Sequence, residues 1–468
     1  MQDRKRKKKS SGESKPKQVA KKKATKAKSG SWLWFGLGLT GVAMLSASVG
    51  AFLAVSFAST PLLQEKLSAE EAAIFGKGSS FSSSKLRLPE VTRPVNILLM
   101  GISVLSSDVQ NPPPEAQNLR YKPQVNSFDG LTDTMLLLRF NPETQKISIL
   151  SIPRDTRIVL DKYGEMKINQ ANVDGGPALS AKAVSQVLEG VSIDRYIRVN
   201  IQGVEKLLDT LGGVTVYVPK DIKYQDHSQH LYINLKQGTQ HLNGDQALQL
   251  LRFRYDKDGD IGRIQRQQMV LRALMEQALN PTTIAKVPNI LSVIQSHIDT
   301  NLSVEELLAL VNLGAKTDRS DVQMLMLPGD SNGDGRQGVS YWLPSRRQTQ
   351  TLVAQYFDQG YSDREPTDPR YMRVTIQDGV GNAKAIEALV QTLRDSGYRS
   401  ISVDRQAIEP IPETYIVAQQ GDEEGAKGIS RSLGFGKVLV ETSGALFSDV
   451  TIKVGHDWLQ TTQAGSIP

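Results

Sequence analysis

The chain has 468 residues, a formal net charge of +7 and no cysteine, which excludes a disulfide frame, a thiolate nucleophile and a cysteine-ligated metal. The charge is unevenly spread: residues 1–28 hold thirteen Lys and Arg against Asp3 and Glu13, a net +11, so residues 29–468 carry −4. The folded part is therefore mildly acidic, and a sequence pI of about 9.2 gives no ground for nucleic-acid binding by it. A chain this long predicts two or three folded units.

Residues 1–30 read as a basic, solvated cytoplasmic tail. The run WLWFGLGLTGVAMLSASVGAFLAVSF, residues 32–57, has no charged residue. At ~1.5 Å per residue it is long enough to cross ~30 Å of hydrocarbon, which predicts a transmembrane helix over 31–58. Trp32 and Trp34 at its leading edge and the Lys/Arg excess before it set the N-terminus in the cytoplasm and the remainder outside. A cleaved signal peptide is the competing reading, but the run is about twice the usual h-region and no small-x-small site separates it from Pro61. Residues 59–93, with SSFSSSK and Pro89, read as a stalk.

From Val95 the short apolar runs VNILLM, MLLLRF and KISILSI alternate with helical patterns at 178–188 and 202–211. This is α/β texture, with central strands buried on both faces. Three helical stretches follow over 263–314, broken at Asn280 and Pro281 and again at 300–303, where Ser303 and Glu306 form a capping-box pair. A polar linker over 358–370 precedes a last unit at 371–456. Strands are predicted there at 373–377, 400–404, 414–418, 438–441 and 450–454, with helices at 383–395 and 423–433; 457–468 is left as a tail.

The densest polar segment is LRFRYDKDGDIGRIQRQQ, residues 251–268. Arg252 and Arg254 are two apart, so an extended backbone points both guanidinium groups to one side. Arg263 and Gln267 are four apart and share one face of the helix that follows, with Asp260 at its start. Planar paired donors from arginine, aided by a helix N-terminus, suit a pyrophosphate. A charged, solvated strand-helix corner with Asp260 as N-cap is the plain alternative. In ILSIPRDTRI, residues 149–158, a buried strand ends at Pro153 and delivers Arg154 and Asp155 to its carboxyl end, where ligands of open α/β sheets sit. A turn salt bridge competes with that reading. LTDTMLLL places Asp133 immediately before a strand, either to hold Mg²⁺ against phosphate oxygens or to cap a turn.

GDSNGDGRQGVSY, residues 329–341, has calcium-loop spacing but Tyr341 stands where a bidentate Glu is needed. The five histidines form no H-E-x-x-H, and neither G-x-S-x-G nor a Walker pattern is present. Phosphate chemistry here would rest on arginines and a metal.

The motifs NILLMG (96–101), TDTMLLLRFNP (132–142), SILSIPRDT (148–156), KINQAN (167–172), LGGV (211–214), LNGDQAL (242–248), LRFR (251–254) and GDIGRIQRQQ (259–268) resemble, in order, those of the LytR-CpsA-Psr catalytic domain. Residues 376–398 and 415–434 are similar to the LytR C-terminal domain. The resemblance implies an extracytoplasmic α/β domain over 94–320 with a central mixed sheet flanked by helices and an extension to about 357, joined to a small C-terminal α/β domain. It also implies a membrane-anchored phosphotransferase with a polyprenyl-pyrophosphate-linked glycan as donor, its lipid tail in an apolar pocket, and peptidoglycan as acceptor. Mg²⁺ assists, and pyrophosphate hydrolysis is a side reaction. Carried over by position, the pyrophosphate-binding residues are Arg154, Arg252, Arg254, Arg263 and Gln267, and the acidic residues are Asp133 and Asp260. Asp133, Arg154, Asp155 and Asp260 are read as catalytic, Asp155 or Asp260 to orient an arginine or accept the attacking hydroxyl's proton, and Asp133 as the metal ligand.

Two positions depart from the family pattern. Ser103 stands where Gly-x-Asp would place a second magnesium carboxylate, and Leu131 stands where an arginine is common. Asp108 and Asp129, in the intervening loop, are the available replacements. A non-catalytic polyprenyl-pyrophosphate receptor or scaffold is the alternative function. The topology argues against a transcriptional regulator, since only the lysine-rich tail lies near DNA and no helix-turn-helix pattern is present.

Overall fold

The computed structural model describes residues 62–463, except 77–79, 85–86, 109–113, 115–118, 254–258, 279–282, 284–285, 334–337, 361–367, 405–407 and 446–447. The transmembrane expectation at 31–58 lies outside the described residues. Among those described, no helix is long and apolar enough to cross a membrane.

The described part opens with a one-turn helix, α1 (Ala69–Ala72), and a hairpin, β1 (Phe81–Ser84) with β2 (Arg87–Val91). Strands β3 (Val95–Ser103), β4 (Leu131–Asn141) and β5 (Lys146–Ile152) then pair antiparallel in succession, with Ile97 opposite Leu138 and Leu138 opposite Ile149. A hairpin of β6 (Arg157–Leu160) and β7 (Gly164–Lys167) and the helix α2 (Ala171–Val187) lead to β8 (Arg195–Asn200), which runs parallel to β3. Helix α3 (Ile201–Leu211) starts on the Asn200 side chain, which accepts from the Gly203 N–H at 2.8 Å. It ends at Gly212, whose φ of +93° is the left-handed cap that the LGGV motif supplies.

Next, β9 (Val214–Val218) and β12 (Gly238–Leu242) pair around an inner hairpin of β10 (Ile222–Asp226) and β11 (Leu231–Leu235). Helices α4 (Gly244–Arg252), α5 (Gly259–Ala278) and α6 (Val287–His297) follow, then β13 (Ile298–Thr300), α7 (Val304–Lys316) and β14 (Val322–Met326). A small hairpin of β15 (Gly329–Ser331) and β16 (Trp342–Pro344) and the helix α8 (Arg346–Tyr356) close this part.

The central sheet has six strands in the order β13-β8-β3-β4-β5-β14 and is mixed, with β8 parallel to β3 and β14 parallel to β5. Both faces are covered, as the unbroken apolar strands require. Leu98, Met100, Leu137 and Leu150 pack with α2 residues such as Ala181 and Val184, while Ile97 meets Leu310 of α7 and Ile149 meets Leu271 of α5. Leu136 and Ile149 on one face are 5% and 2% exposed and Leu137 and Leu150 on the other are 0% exposed, which settles the two-sided burial.

Three boundaries differ from the sequence reading. Residues 62–93 are not a bare stalk: Phe75 is buried against Tyr196 with ring centroids 5.2 Å apart, and the Glu65 carboxylate pairs with buried Arg198. Its backbone N–H donates to Asp299 at 2.7 Å. Arg198 and Asp299 are both buried, and a buried ion pair needs such additional partners. The sheet also extends past 320, because β14 is one of its strands. The last twelve residues are not a tail throughout, since the helix α11 (His456–Gln463) places a buried Trp458 whose indole N–H donates to the Ala385 carbonyl at 2.7 Å.

The C-terminal unit carries β17 (Arg373–Asp378), α9 (Ala383–Asp395), β18 (Ser400–Asp404), β19 (Tyr415–Ala418), α10 (Glu423–Leu433), β20 (Lys437–Val440) and β21 (Val450–Val454) ahead of α11. Its five strands lie in the order β18-β17-β21-β19-β20, parallel except where β19 meets β21.

Candidate active site

Strands β3 and β8 run parallel and side by side, so their carboxyl ends open together at Gly101–Ser103 and Val199–Asn200. The antiparallel β4 brings Asp133 and Thr134 to the same end, and β5 delivers Arg154 there after Pro153. A cavity of about 280 Å³ lies at this end of the sheet. Its apolar wall includes Ile102, Leu131, Val199, Val204, Tyr224, Leu248 and Leu251, and its polar lining includes Asp108, Asp133, Arg154, Asp226, Arg252, Arg263 and Gln267.

Arg154 Nη1 donates to Asp133 Oδ1 at 2.7 Å. Asp155 is not among the lining residues: it holds Lys167 Nζ at 2.9 Å and lies 4.0 Å from Arg154 Nε, behind the arginine. Arg263 and Gln267 share a face of α5 and both reach the cavity; Arg263 is buried, and Gln267 Nε2 donates to Thr134 Oγ1 at 2.7 Å.

Arg252 departs from the expected strand end. It is the last residue of α4, a helix that starts with a capping box between Asn243 and Gln246 and buries Ala247, Leu248 and Leu250 at helical spacing. A cation at a helix C-terminus is favoured by the carbonyl end of the dipole. Its Nη2 donates to the neutral Gln229 Oε1 at 2.7 Å. Burial pushes the Arg252 guanidinium below its ordinary range, with Asp133, Asp226 and Asp245 opposing. Arg254 lies outside the described residues. Asp260 is one residue inside α5 and so is not its N-cap; its side chain also lies outside the described residues.

The hairpin of β10 and β11 contributes residues that sequence reasoning missed: Tyr224, Asp226, Gln229 and Leu231 all line the cavity. The apolar alternation Leu231, Ile233, Leu235 was a readable strand signal. Asp226 accepts from the Ser228 hydroxyl at 2.6 Å and from the Ser228 and Gln229 N–H groups at 2.9 and 3.2 Å, which hold its carboxyl below the usual range.

Residues 62–357 match the LytR_cpsA_psr family, and residues 371–458 match the LytR cell envelope-related transcriptional attenuator. The chain belongs to the LytR-CpsA-Psr family. It is 35% identical over 258 residues to the polyisoprenyl-teichoic acid–peptidoglycan teichoic acid transferase TagU of Oceanobacillus iheyensis, covering 54% of this chain and 71% of that protein. Against the transferase TagV of Bacillus subtilis it is 30% identical over 259 residues, covering 54% of this chain and 61% of that protein. The crystal structure of B. subtilis TagV superposes with a TM-score of 0.46 at 27% identity, over 57% of this chain and 98% of that one.

The LytR-CpsA-Psr departures have visible consequences. Ser103 Oγ donates to Gln124 Oε1 at 3.2 Å, a neutral pair where the family pattern places a carboxylate. Of the two replacements, Asp108 lines the cavity and accepts from the Leu105 N–H at 2.9 Å, whereas Asp129 is exposed and is not in the lining. Leu131 adds apolar wall in place of an arginine. Among the described residues no three His, Asp or Glu side chains gather closely enough to hold a metal by themselves. Asp133, Asp108 and Asp226 around one cavity nevertheless suit an oxygen-preferring ion whose remaining ligands are phosphate and water.

Proposed function

We infer that this protein is a phosphotransferase that moves a glycan phosphate from a polyprenyl-pyrophosphate carrier to peptidoglycan. The observation that carries the reading is the meeting of Arg154, Arg252 and Arg263 in one cavity that also has an aliphatic wall of Ile102, Leu131, Val199, Val204, Leu248 and Leu251. A prenyl diphosphate has that same division between charge and hydrocarbon. TagU and TagV, named as transferases from polyisoprenyl-teichoic acid to peptidoglycan, support the same class of donor and acceptor.

Arg154, Arg252 and Arg263 bind the diphosphate oxygens, and Gln267, held by Thr134, sets the register of the α5 face against them. A wall-sugar hydroxyl attacks the phosphorus attached to the glycan, forming a new P–O bond as the bond to the lipid phosphate breaks and giving up its proton to the departing phosphate or to solvent. Polyprenyl phosphate leaves, and the arginines stabilise the negative charge that gathers on it. Asp133 positions Arg154 through its 2.7 Å bond, and Lys167 holds Asp155 behind it. Bound Mg²⁺ would supply Lewis-acid charge at the phosphate, with Asp133 and Asp108 as its protein ligands. Residues 32–57 would anchor the chain in the membrane and keep this domain outside, where lipid carrier and wall meet.

Full-length protein in detergent, given a labelled polyprenyl-pyrophosphate oligosaccharide, Mg²⁺ and peptidoglycan, tests the reading. Label should enter the insoluble wall, with polyprenyl phosphate released. Tight donor binding without transfer would instead favour a lipid-pyrophosphate receptor, a second reading that draws on Ser103 and the sparse carboxylates.

A further inference from the structure

A larger cavity, of about 490 Å³, lies where the C-terminal unit meets the back of α5. Helix α5 turns Arg263 and Gln267 to the cavity described above and Gln265, Gln268 and Arg272 to this one. Positions 263 and 267 lie roughly opposite 265, 268 and 272 on a helix of ~3.6 residues per turn.

We propose that this junction is a second ligand site, one that takes a phosphate-bearing sugar. Three cations surround it: Arg272 from α5, Arg319 ahead of β14, and Lys453 from β21. Three carboxylates also line it: buried Glu441, bonded to Arg272 at 2.6 Å, and the exposed Glu276 and Glu409. Lys453 Nζ donates to the Ser443 hydroxyl at 3.1 Å, and the Arg319 guanidinium stacks over the Tyr415 ring at 5.2 Å. Burial pushes the Lys453 ammonium down to about 8, with Glu441 and Glu409 opposing the fall and Arg272 and Arg319 adding to it. An anion in the cavity relieves that repulsion, and arginine donors match phosphate oxygens.

The remaining lining favours a sugar over a bare ion. Gln268 and Gln377 are 1% and 7% exposed, and each has a side-chain Oε1 with no hydrogen-bond partner among the described residues. Their amide nitrogens are already engaged, Gln268 with Ser151 Oγ at 3.1 Å and Gln377 with Asp404 Oδ2 at 3.0 Å. What these residues lack is a donor, and sugar hydroxyls are donors. Tyr217 and Tyr415 add aromatic surface, and the volume falls within the range of small-ligand pockets. The site is separate from the transfer cavity and does not depend on the reaction assigned to it.

Titration of full-length Arg252→Gln protein in detergent with N-acetylglucosamine 1-phosphate tests this, the substitution weakening the other phosphate site. The expected result is saturable binding that falls at least about tenfold on adding Arg319→Gln or Lys453→Met. N-acetylglucosamine and inorganic phosphate, each alone, should bind at least about tenfold more weakly than the sugar phosphate. Arg319 is exposed, so its variant stays interpretable if Lys453→Met fails to fold. No saturable binding, affinity unchanged by Arg319→Gln, or equal binding of inorganic phosphate would overturn the proposal.

Discussion

Helix α5 separates two cavities that treat positive charge differently. On one face, Arg252 meets a neutral amide and Arg154 meets an Asp133 carboxylate that is itself partly exposed. On the other, Arg272 is bonded at 2.6 Å to Glu441, a carboxylate 2% exposed, and the bond joins the α/β domain to the C-terminal unit. Arginine number therefore does not distinguish the reactive site. The distinguishing feature is whether a donor is committed to a buried internal carboxylate, as Arg272 is, which makes a strut, or has neutral or exposed partners, as Arg252, Arg319 and Lys453 have, which leaves it able to take phosphate.

If that contrast is right, the largest effect comes from the first face. Arg252→Gln should lower transfer by about 10²–10³-fold while leaving the thermal midpoint nearly unchanged, the loss typical of removing one charge-stabilising donor. An unfolded Arg252→Gln protein would place the residue with the struts.

Glu441→Gln probes the second face. It leaves Arg272 and Lys453 without their carboxylate and should destabilise the fold by about 3 kcal/mol in denaturant unfolding. Transfer by the still-folded fraction should persist. Stability equal to the parent would mean that the junction is held by packing alone.

A smaller effect concerns magnesium. Asp108 lines the transfer cavity and Asp129 does not, so calorimetry should show Asp108→Ala weakening Mg²⁺ binding by about tenfold, with Asp129→Ala near neutral. Ser103→Asp should tighten binding to the lipid-free protein, because it restores a carboxylate to the end of β3. Tight Mg²⁺ binding lost in Asp129→Ala would reverse that assignment.

The smallest effect is a pH slope. Lys453 has a folded pKa of about 8, below its ordinary value of 10.5, so between those values the unfolded chain binds more protons than the folded one. Stability should therefore rise as pH increases across that window. Lys453→Met should flatten the rise in a series of thermal melts.

Much of this was legible in the sequence. The double-sided strands over 95–100, 134–140 and 146–152 read directly from unbroken apolar runs, and the Ser303/Glu306 cap and the C-terminal strand-helix order follow from local patterns. What was lost depended on tertiary partners. Residues 62–93 are polar enough to look like a stalk, and Arg198 and Asp299, both remote in sequence, hold Glu65 in place. Arg252 was misread because the LRFR spacing fits a strand as well as a helix end, and the Asn243 cap that decides the matter lies nine residues earlier. Asp226 was missed because nothing local shows that its hairpin folds over the sheet end.

The most direct test is a structure of the protein with farnesyl pyrophosphate bound. The diphosphate should lie among Arg154, Arg252 and Arg263, with the prenyl chain along Val199, Val204, Leu248 and Leu251 and Gln267 still bonded to Thr134. A diphosphate seated against Arg272, Arg319 and Lys453 instead, with the first cavity empty, would contradict the assignment of the two faces.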